Sequence, residues 1–327
     1  MMDRRTFIGR VAGGLLAVPL TAHGQSPTKI ARIGYLTGAA RNAMPVSTAS
    51  FIDRLRDLGY AEGRNLFIDY RYADTEVRLR EHASELVRDG VRVIYAQNPY
   101  ALRAATATTT TIPIVGYDYE TDPVAAGFAT TLRHPGGNVT GVFLDQPDIS
   151  AKQLQLLKEM VPQLSHVAVL WDDALAAAQH AAVEDAGRRL GVTISSLVWR
   201  GPDTLTDAIR LAKQEGAQGL VVLSTPRILD QYRPLVANAA LKSHLPAIGL
   251  TANFAKDGLL IAYGPVQRDM YRIAATLVAK ILDGARPADL PIERPVRFEL
   301  AINVKTAKAL GLTIPKEMLL RADEVIQ

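Results

Sequence analysis

Residues 111–146, TIPIVGYDYETDPVAAGFATTLRHPGGNVTGVFLDQ, hold the side chains best suited to recognising a charged small molecule. A short apolar run from Ile112 to Val115 reads as a strand, and it breaks into Tyr117, Asp118, Tyr119, Glu120 and Asp122. In an open parallel sheet, ligands bind beyond the carboxyl ends of the strands. Carboxylates on such a rim suit an ammonium group, and aromatic rings suit a flat or cationic one. Asp118 and Glu120 point to one side if the segment stays extended.

The same strand-end rule gives a full set of candidate ligand contacts. A first series of elements supplies Thr37, Gln97, Asn98, Tyr117, Asp118, Glu120 and Asp122, and a second supplies Trp171, Asp172, Ser224, Thr225, Asn253 and Tyr263. Several have a structural alternative. Asp122 and Asn98 each precede a proline and a helix, where a side-chain oxygen caps the first turn. Ser224-Thr225 before Pro226 fits a cap equally well. Trp171 ends an apolar strand, where core or hinge packing competes with stacking in a cleft. Tyr263-Gly264-Pro265 reads as a crossing between lobes.

Other chemistries lack their residues. The sequence contains no GxxxxGK[ST], GxSxG or HExxH motif. Its six histidines form no cluster, and there is no cysteine. Gly136 to Gly141 precedes a strand instead of following one, unlike a dinucleotide loop. The reading is therefore a binding protein with no catalytic residues, no metal and no cofactor.

The elements that must position these residues alternate. Ile30–Leu36, Asn65–Tyr72, Val91–Ala96, Ile112–Tyr117 and Val139–Leu144 read as strands, separated by helices over 47–58, 76–89, 99–109 and 122–132. A second series has strands over 166–171, 193–199, 219–223, 246–250 and 259–263, with helices over 151–160, 174–190, 204–215, 232–243, 267–282 and 304–310, and an extended run over 291–300. Strand–helix alternation implies parallel sheets covered on both faces. The fold class is α/β, with two doubly wound Rossmann-like lobes joined by a hinge. Lobe 1 takes 28–146 plus about 265–292, and lobe 2 takes 147–264. Residues 293–327 form a crossing and tail whose lobe the sequence leaves open.

With 327 residues, 48% hydrophobic and 21% charged, the chain has ample apolar material for more than one lobe. Residues 1–24 read as a signal peptide: Arg4-Arg5, an apolar stretch from Val11 to Leu20, then Ala22-His23-Gly24 with small residues before a cut. The arginine pair resembles a twin-arginine export signal, although Asp3 stands where a serine is usual. Removing Arg4, Arg5, Arg10 and Asp3 lowers the formal charge from +4 to +2, so no nucleic-acid partner is needed to explain the basic balance. The expected location is periplasmic, exported and soluble, with no lipid anchor because cysteine is absent.

Several motifs in order carry a resemblance: RIGYL at 32–36, LGYAEGR at 58–64, TTIPIV, DPVAAG, PGGNVTG, LPAIGL, GLLIAYGP and the stretch from Lys280 to Pro315. Together they resemble the solute-binding proteins of a bacterial ABC-transporter family whose best-known branch binds tryptophan or tyrosine. The resemblance implies a type I periplasmic-binding-protein fold, with two lobes, three crossings and a ligand between them. It also implies a monomer that delivers a small-molecule solute to a membrane permease and its ATPase subunit. Two places depart from the commoner family pattern: the acidic, aromatic Tyr117–Glu120, and Gly249-Leu250-Thr251 after Pro-Ala-Ile. Both fall at the expected cleft, so the tryptophan branch does not fix the ligand. Acids plus aromatics suit an amino acid or an amine-bearing ring. A periplasmic sensor subunit for a membrane receptor shares this fold and stays open as the second reading; an exported α/β enzyme is the third.

Overall fold

The computed structural model describes residues 30–38, 45–226 and 228–327. The signal-peptide expectation for 1–24 lies outside them.

The first sheet is entirely parallel, in the order β2-β1-β3-β4-β5. Its strands are β1 (Ala31–Thr37), β2 (Leu66–Tyr72), β3 (Val93–Gln97), β4 (Ile114–Asp118) and β5 (Val139–Phe143). They read as apolar runs because helices cover both faces. On one face lie α2 (Glu76–Arg88) and α3 (Pro99–Thr108), packed on each other; on the other lie α1 (Pro45–Asp57) and, from far along the chain, α9 (Gln267–Leu282). Helix α2 starts at Thr75, whose hydroxyl accepts from the Arg78 N–H, and it buries Leu79, Ala83 and Leu86, one stripe at helical spacing. Each such leucine contributes roughly 2 kcal/mol by leaving water.

The second sheet has seven strands, in the order β12-β11-β10-β9-β8-β6-β7. These are β6 (His166–Trp171), β7 (Thr193–Val198), β8 (Gly219–Val222), β9 (Ala247–Gly249), β10 (Ile261–Pro265), β11 (Phe298–Asn303) and β12 (Glu324–Ile326). Only the β10–β11 pair is antiparallel. Helices α4 (Gln146–Met160) and α5 (Ala177–Leu190) pack together on one face, while α6 (Pro202–Gln214) and α7 (Arg233–Lys242) pair on the other. Short helices α8 (Ala252–Lys256), α10 (Val304–Ala309) and α11 (Lys316–Arg321) complete this lobe. Both C-terminal strands join the second sheet.

The chain passes between the sheets three times, around Asp145, Val266 and Arg294–Arg297. An Arg294–Asp145 ion pair at 2.6 Å links two of these crossings, and the Val266 N–H donates to the Arg297 carbonyl to link the third. One apolar cluster runs without interruption from the α1/α9 side of the first sheet to the α6/α7 side of the second. Among the described residues, no helix is long and apolar enough to cross a membrane.

Several local expectations change. Residues 122–132 form turns and no helix. Asp122 does cap, its Oδ1 accepting from the Val124 and Ala125 N–H groups, but Gly127 at φ +75° ends the turn at once. Only Phe298–Asn303 of the extended C-terminal stretch is a strand; Glu293 instead pairs along the free edge of β5, through the Gly141 carbonyl and the Phe143 N–H. Helix α7 is preceded by one turn of π-helix over Ile228–Tyr232.

Candidate functional site

The carboxyl ends of the two sheets face a shared cleft. Its inner end is a small pocket of about 20 Å³ lined by Gln97, Asn98, Tyr117, Tyr119, Glu120 and Tyr271 from the first lobe and by Pro226 and Leu229 from the second. Room for a water begins at roughly 10–15 Å³ on this measure, so the pocket holds about one water-sized group. Outward of it, and sharing Pro226, is a cleft of about 700 Å³. Asp74, Glu76 and Tyr100 stand on one wall, Trp199 and Tyr232 on the other.

The inner pocket is built on a wall of tyrosines. Tyr117 on β4 stacks on Tyr271 of α9 with ring centroids 4.4 Å apart, and its hydroxyl lies 2.5 Å from that of Tyr119. Gln97 at the end of β3 accepts from the Tyr35 hydroxyl at 3.1 Å and donates to the Tyr271 hydroxyl at 2.9 Å. Burial pushes the hydroxyls of Tyr117 and Tyr119 well above their usual pKa, so both remain protonated at neutral pH. The Gln267 side chain hydrogen-bonds Tyr119, and Gln267 Oε1 accepts from Asn253 of the second lobe at 3.4 Å.

Asn98 is the strained member. It caps α3, its Oδ1 accepting from the Ala101 N–H at 3.1 Å, with Pro99 in the first helical position. Its backbone stands at φ 83°, ψ 162°, a region occupied almost only by glycine. Its amide side chain lies so close to Gly38 that a Cβ there would come within 2.9 Å of the Asn98 nitrogen.

Glu120 is the pocket's one charged side chain among the described residues. Behind it Asp118 is fully buried, its Oδ1 accepting from the Glu120 and Thr121 N–H groups at 2.8 and 3.1 Å. Burial pushes the Asp118 carboxyl up, and hydrogen bonds from Thr121 and Glu120, including the Glu120 side chain, pull it partly back.

Of the residues named from sequence, the structure brings Gln97, Asn98, Tyr117 and Glu120 together on the pocket. Asp118 supports it from behind, and Thr37 is buried beside Gly38 of the outer cleft. Thr225 caps the turn that carries Leu229, its hydroxyl accepting from the Ile228 N–H, while Ser224 is buried with no hydrogen-bond partner for its hydroxyl. The others lie outside both cavities. Asp122 caps its turn, Trp171 stacks on His180 at 4.2 Å and donates to Ser196, and Asp172 accepts from the Ala174 N–H. Asn253 reaches Gln267, and Tyr263 stacks on Phe298. Sequence reasoning missed Tyr271, Leu229, Trp199 and Tyr232. Trp199 directly follows β7, so the strand-end rule could have found it; Tyr271 sits inside a helix 154 positions after Tyr117 and carries no local signal.

Residues 35–326 match the family profile described as ABC transporter substrate binding protein. A tyrosine-binding protein of Clostridioides difficile (strain R20291) is 27% identical over 266 residues, 80% of this chain and 75% of the relative. Two solved structures share the fold. The ABC domain from Streptococcus pneumoniae in complex with L-Trp has a TM-score of 0.82 at 23% identity, covering 90% of this chain and 99% of that one. The ligand-free, open structure of a Clostridium difficile substrate-binding protein with adhesive properties has a TM-score of 0.67 at 23% identity, covering 91% and 100%. The architecture is that of the type I periplasmic binding proteins.

Proposed function

The chain belongs to the ABC transporter substrate-binding protein family, and we propose that it is an exported, periplasmic component that captures a small aromatic or amine-bearing solute and hands it to a membrane permease driven by an ATPase. One observation carries the reading: acidic and aromatic side chains from two separate sheets converge on one cleft. A relative that binds tyrosine and a structural neighbour solved with L-Trp support an aromatic amino acid as the solute class. The three crossings act as the hinge. A solute bridging the lobes favours the closed form only by its greater affinity for closed over open.

The test is a thermal-shift screen of the purified protein against amino acids, aromatic acids, amines, nucleobases and sugars. A solute at 100 times its Kd stabilises by about 2.7 kcal/mol, a rise of several degrees. A saturable rise with aromatic amino acids or amines, the compound recovered unchanged, supports the reading. A compound recovered chemically altered overturns it.

A further inference from the structure

We infer that two copies of this chain join through the outer edge of β7, antiparallel about a twofold axis at Ser196, so that their second sheets become one continuous sheet. The inference goes beyond solute capture and does not depend on which solute is bound. It sets a weak dimer in place of the monomer that the resemblance implies.

The sheet edges are guarded unequally. Native sheets blunt their edges with charges, prolines, short strands or covering segments. At one edge of the first sheet β2 carries Asp69 and Arg71, and at the other Glu293 pairs along β5. In the second sheet β12 is three residues long and begins with Glu324. Strand β7, at the opposite edge, has six residues, TISSLV, with no charge and no proline, and all of them are exposed or half-buried. Its hydrogen bonding leaves an open ladder. The N–H groups of Thr193 and Trp199 donate to the Ser165 and Trp171 carbonyls, so the odd-numbered residues bond to β6 and the backbones of Ile194, Ser196 and Val198 face outward. Among the described residues, none hydrogen-bonds those outward groups.

The outward groups select the partner and its register. In an antiparallel pair, opposed residues share a face of the sheet, and the hydrogen-bonded ones exchange both N–H···O bonds. A twofold axis at Ser196 sets Ser196 against its own copy and Ile194 against Val198 of the second copy, so every outward N–H and carbonyl of both strands is used. The side chains agree with that register. On the α5 face Ile194 meets Val198, apolar against apolar, and Ser196, whose hydroxyl accepts from Trp171 at 2.6 Å, meets a second small uncharged residue. On the α6 face Leu197 lies against Ser195. No charge is placed against a like charge. Space allows the approach. Beside the start of β7 a groove of about 390 Å³ runs between Glu184, Gly187 and Arg188 of α5 and residues 192–194. At helical spacing this rim continues towards the start of α5 through Ala181 and Ala177, both exposed and small, so a neighbouring α5 meets no bulky side chain there. The carboxyl ends of the two paired sheets point in opposite directions, which leaves both clefts open.

The experiment is sedimentation velocity at low salt, over protein concentrations from about 1 µM to about 1 mM, the range in which a small interface associates. Wild type is expected to pass from monomer to dimer. Ser196→Lys and Ser196→Glu each place like charges face to face at the axis and should raise the dimer dissociation constant at least about tenfold. An equimolar mixture of the two variants puts opposite charges there and should return to within about threefold of wild type. Val325→Lys, on the other edge of the same sheet, should leave the constant unchanged. Because the chain has no cysteine, Ser196→Cys supplies a single thiol. Mild oxidation should link most of that variant into a disulfide dimer, since opposed residues of a hydrogen-bonded pair have Cα atoms about 5.5 Å apart, within disulfide reach. A monomer at the highest concentration overturns the inference, as does a dimer that both charged variants leave unaltered, that their mixture fails to restore, or that Ser196→Cys fails to link. A dimer lost in Val325→Lys and kept in the Ser196 variants places the contact at the opposite edge and overturns it too. Melting curves of each variant show that a change in association is not a loss of fold.

Discussion

Replacing Asn98 separates what this residue does for the fold from what it does for the cleft. Its φ of 83° with ψ 162° costs any residue bearing a Cβ about 1–3 kcal/mol, and glycine almost nothing. Asn98→Ala and Asn98→Gly both remove the bond from Oδ1 to the Ala101 N–H, worth about 1 kcal/mol as a cap. They differ only in the Cβ. Alanine keeps the backbone strain; glycine releases it but brings a more disordered unfolded chain, at about 0.5–1 kcal/mol. Asn98→Ala should therefore lose about 1 kcal/mol against wild type, and Asn98→Gly should exceed Asn98→Ala by about 0–2.5 kcal/mol. Urea titration gives this gap directly, and in melting it amounts to a few degrees. Solute binding should fall in both variants, because each removes the amide from the pocket lining. The expected pattern is thus a glycine variant close to wild type in stability yet poorer in binding, as when strain is retained for a site. An alanine variant more stable than the glycine variant would refute the reasoning.

Three further perturbations test other parts of the structure. Asp118 has its folded pKa raised by burial, so between the ordinary carboxylate range and that raised value the native state holds a proton the unfolded chain has lost. Stability of the wild type therefore falls as pH rises through that window. Asp118→Asn can keep both turn bonds through its carbonyl oxygen, so its advantage over wild type should widen from pH 4 to pH 7; a constant gap in chemical denaturation would contradict this. Gln97→Leu removes the link between Tyr35 and Tyr271 inside the core and should cost about 1–3 kcal/mol, read from the same titrations. Gly141→Ala would place a Cβ 2.1 Å from the Gly116 carbonyl oxygen, across the β4–β5 pair, and should cost at least about 3 kcal/mol or prevent folding; a soluble variant with an unshifted melting temperature would disprove that close approach.

The alternation of apolar strands with amphipathic helices was legible because burial on both faces of a parallel sheet imposes it on every strand. Helix starts were legible where a cap and a proline mark them, as at Asn98-Pro99. The turn at 122–132 misled because DPVAAG carries a helix-start signature while Gly127 cancels it one turn later. At the C-terminus the tail was undecidable, since β12 is three residues long and its pairing with β11 depends on which sheet lies alongside.

By itself, the sequence determined the α/β class with two doubly wound lobes and the first-lobe half of the pocket's lining. Gln97, Asn98, Tyr117 and Glu120 all lie within a few residues of a strand end, where periodicity can locate them. Only the tertiary structure decided what faces them. Tyr271 comes from a helix that returns to the first lobe after the chain has built most of the second, and Leu229 comes from a π-helical turn across the cleft. Such juxtapositions depend on the relative placement of two sheets joined only at three crossings, a long-range property that no local pattern of residues encodes. The pocket's size follows from it: about 20 Å³ remains where strand ends alone would leave an open rim.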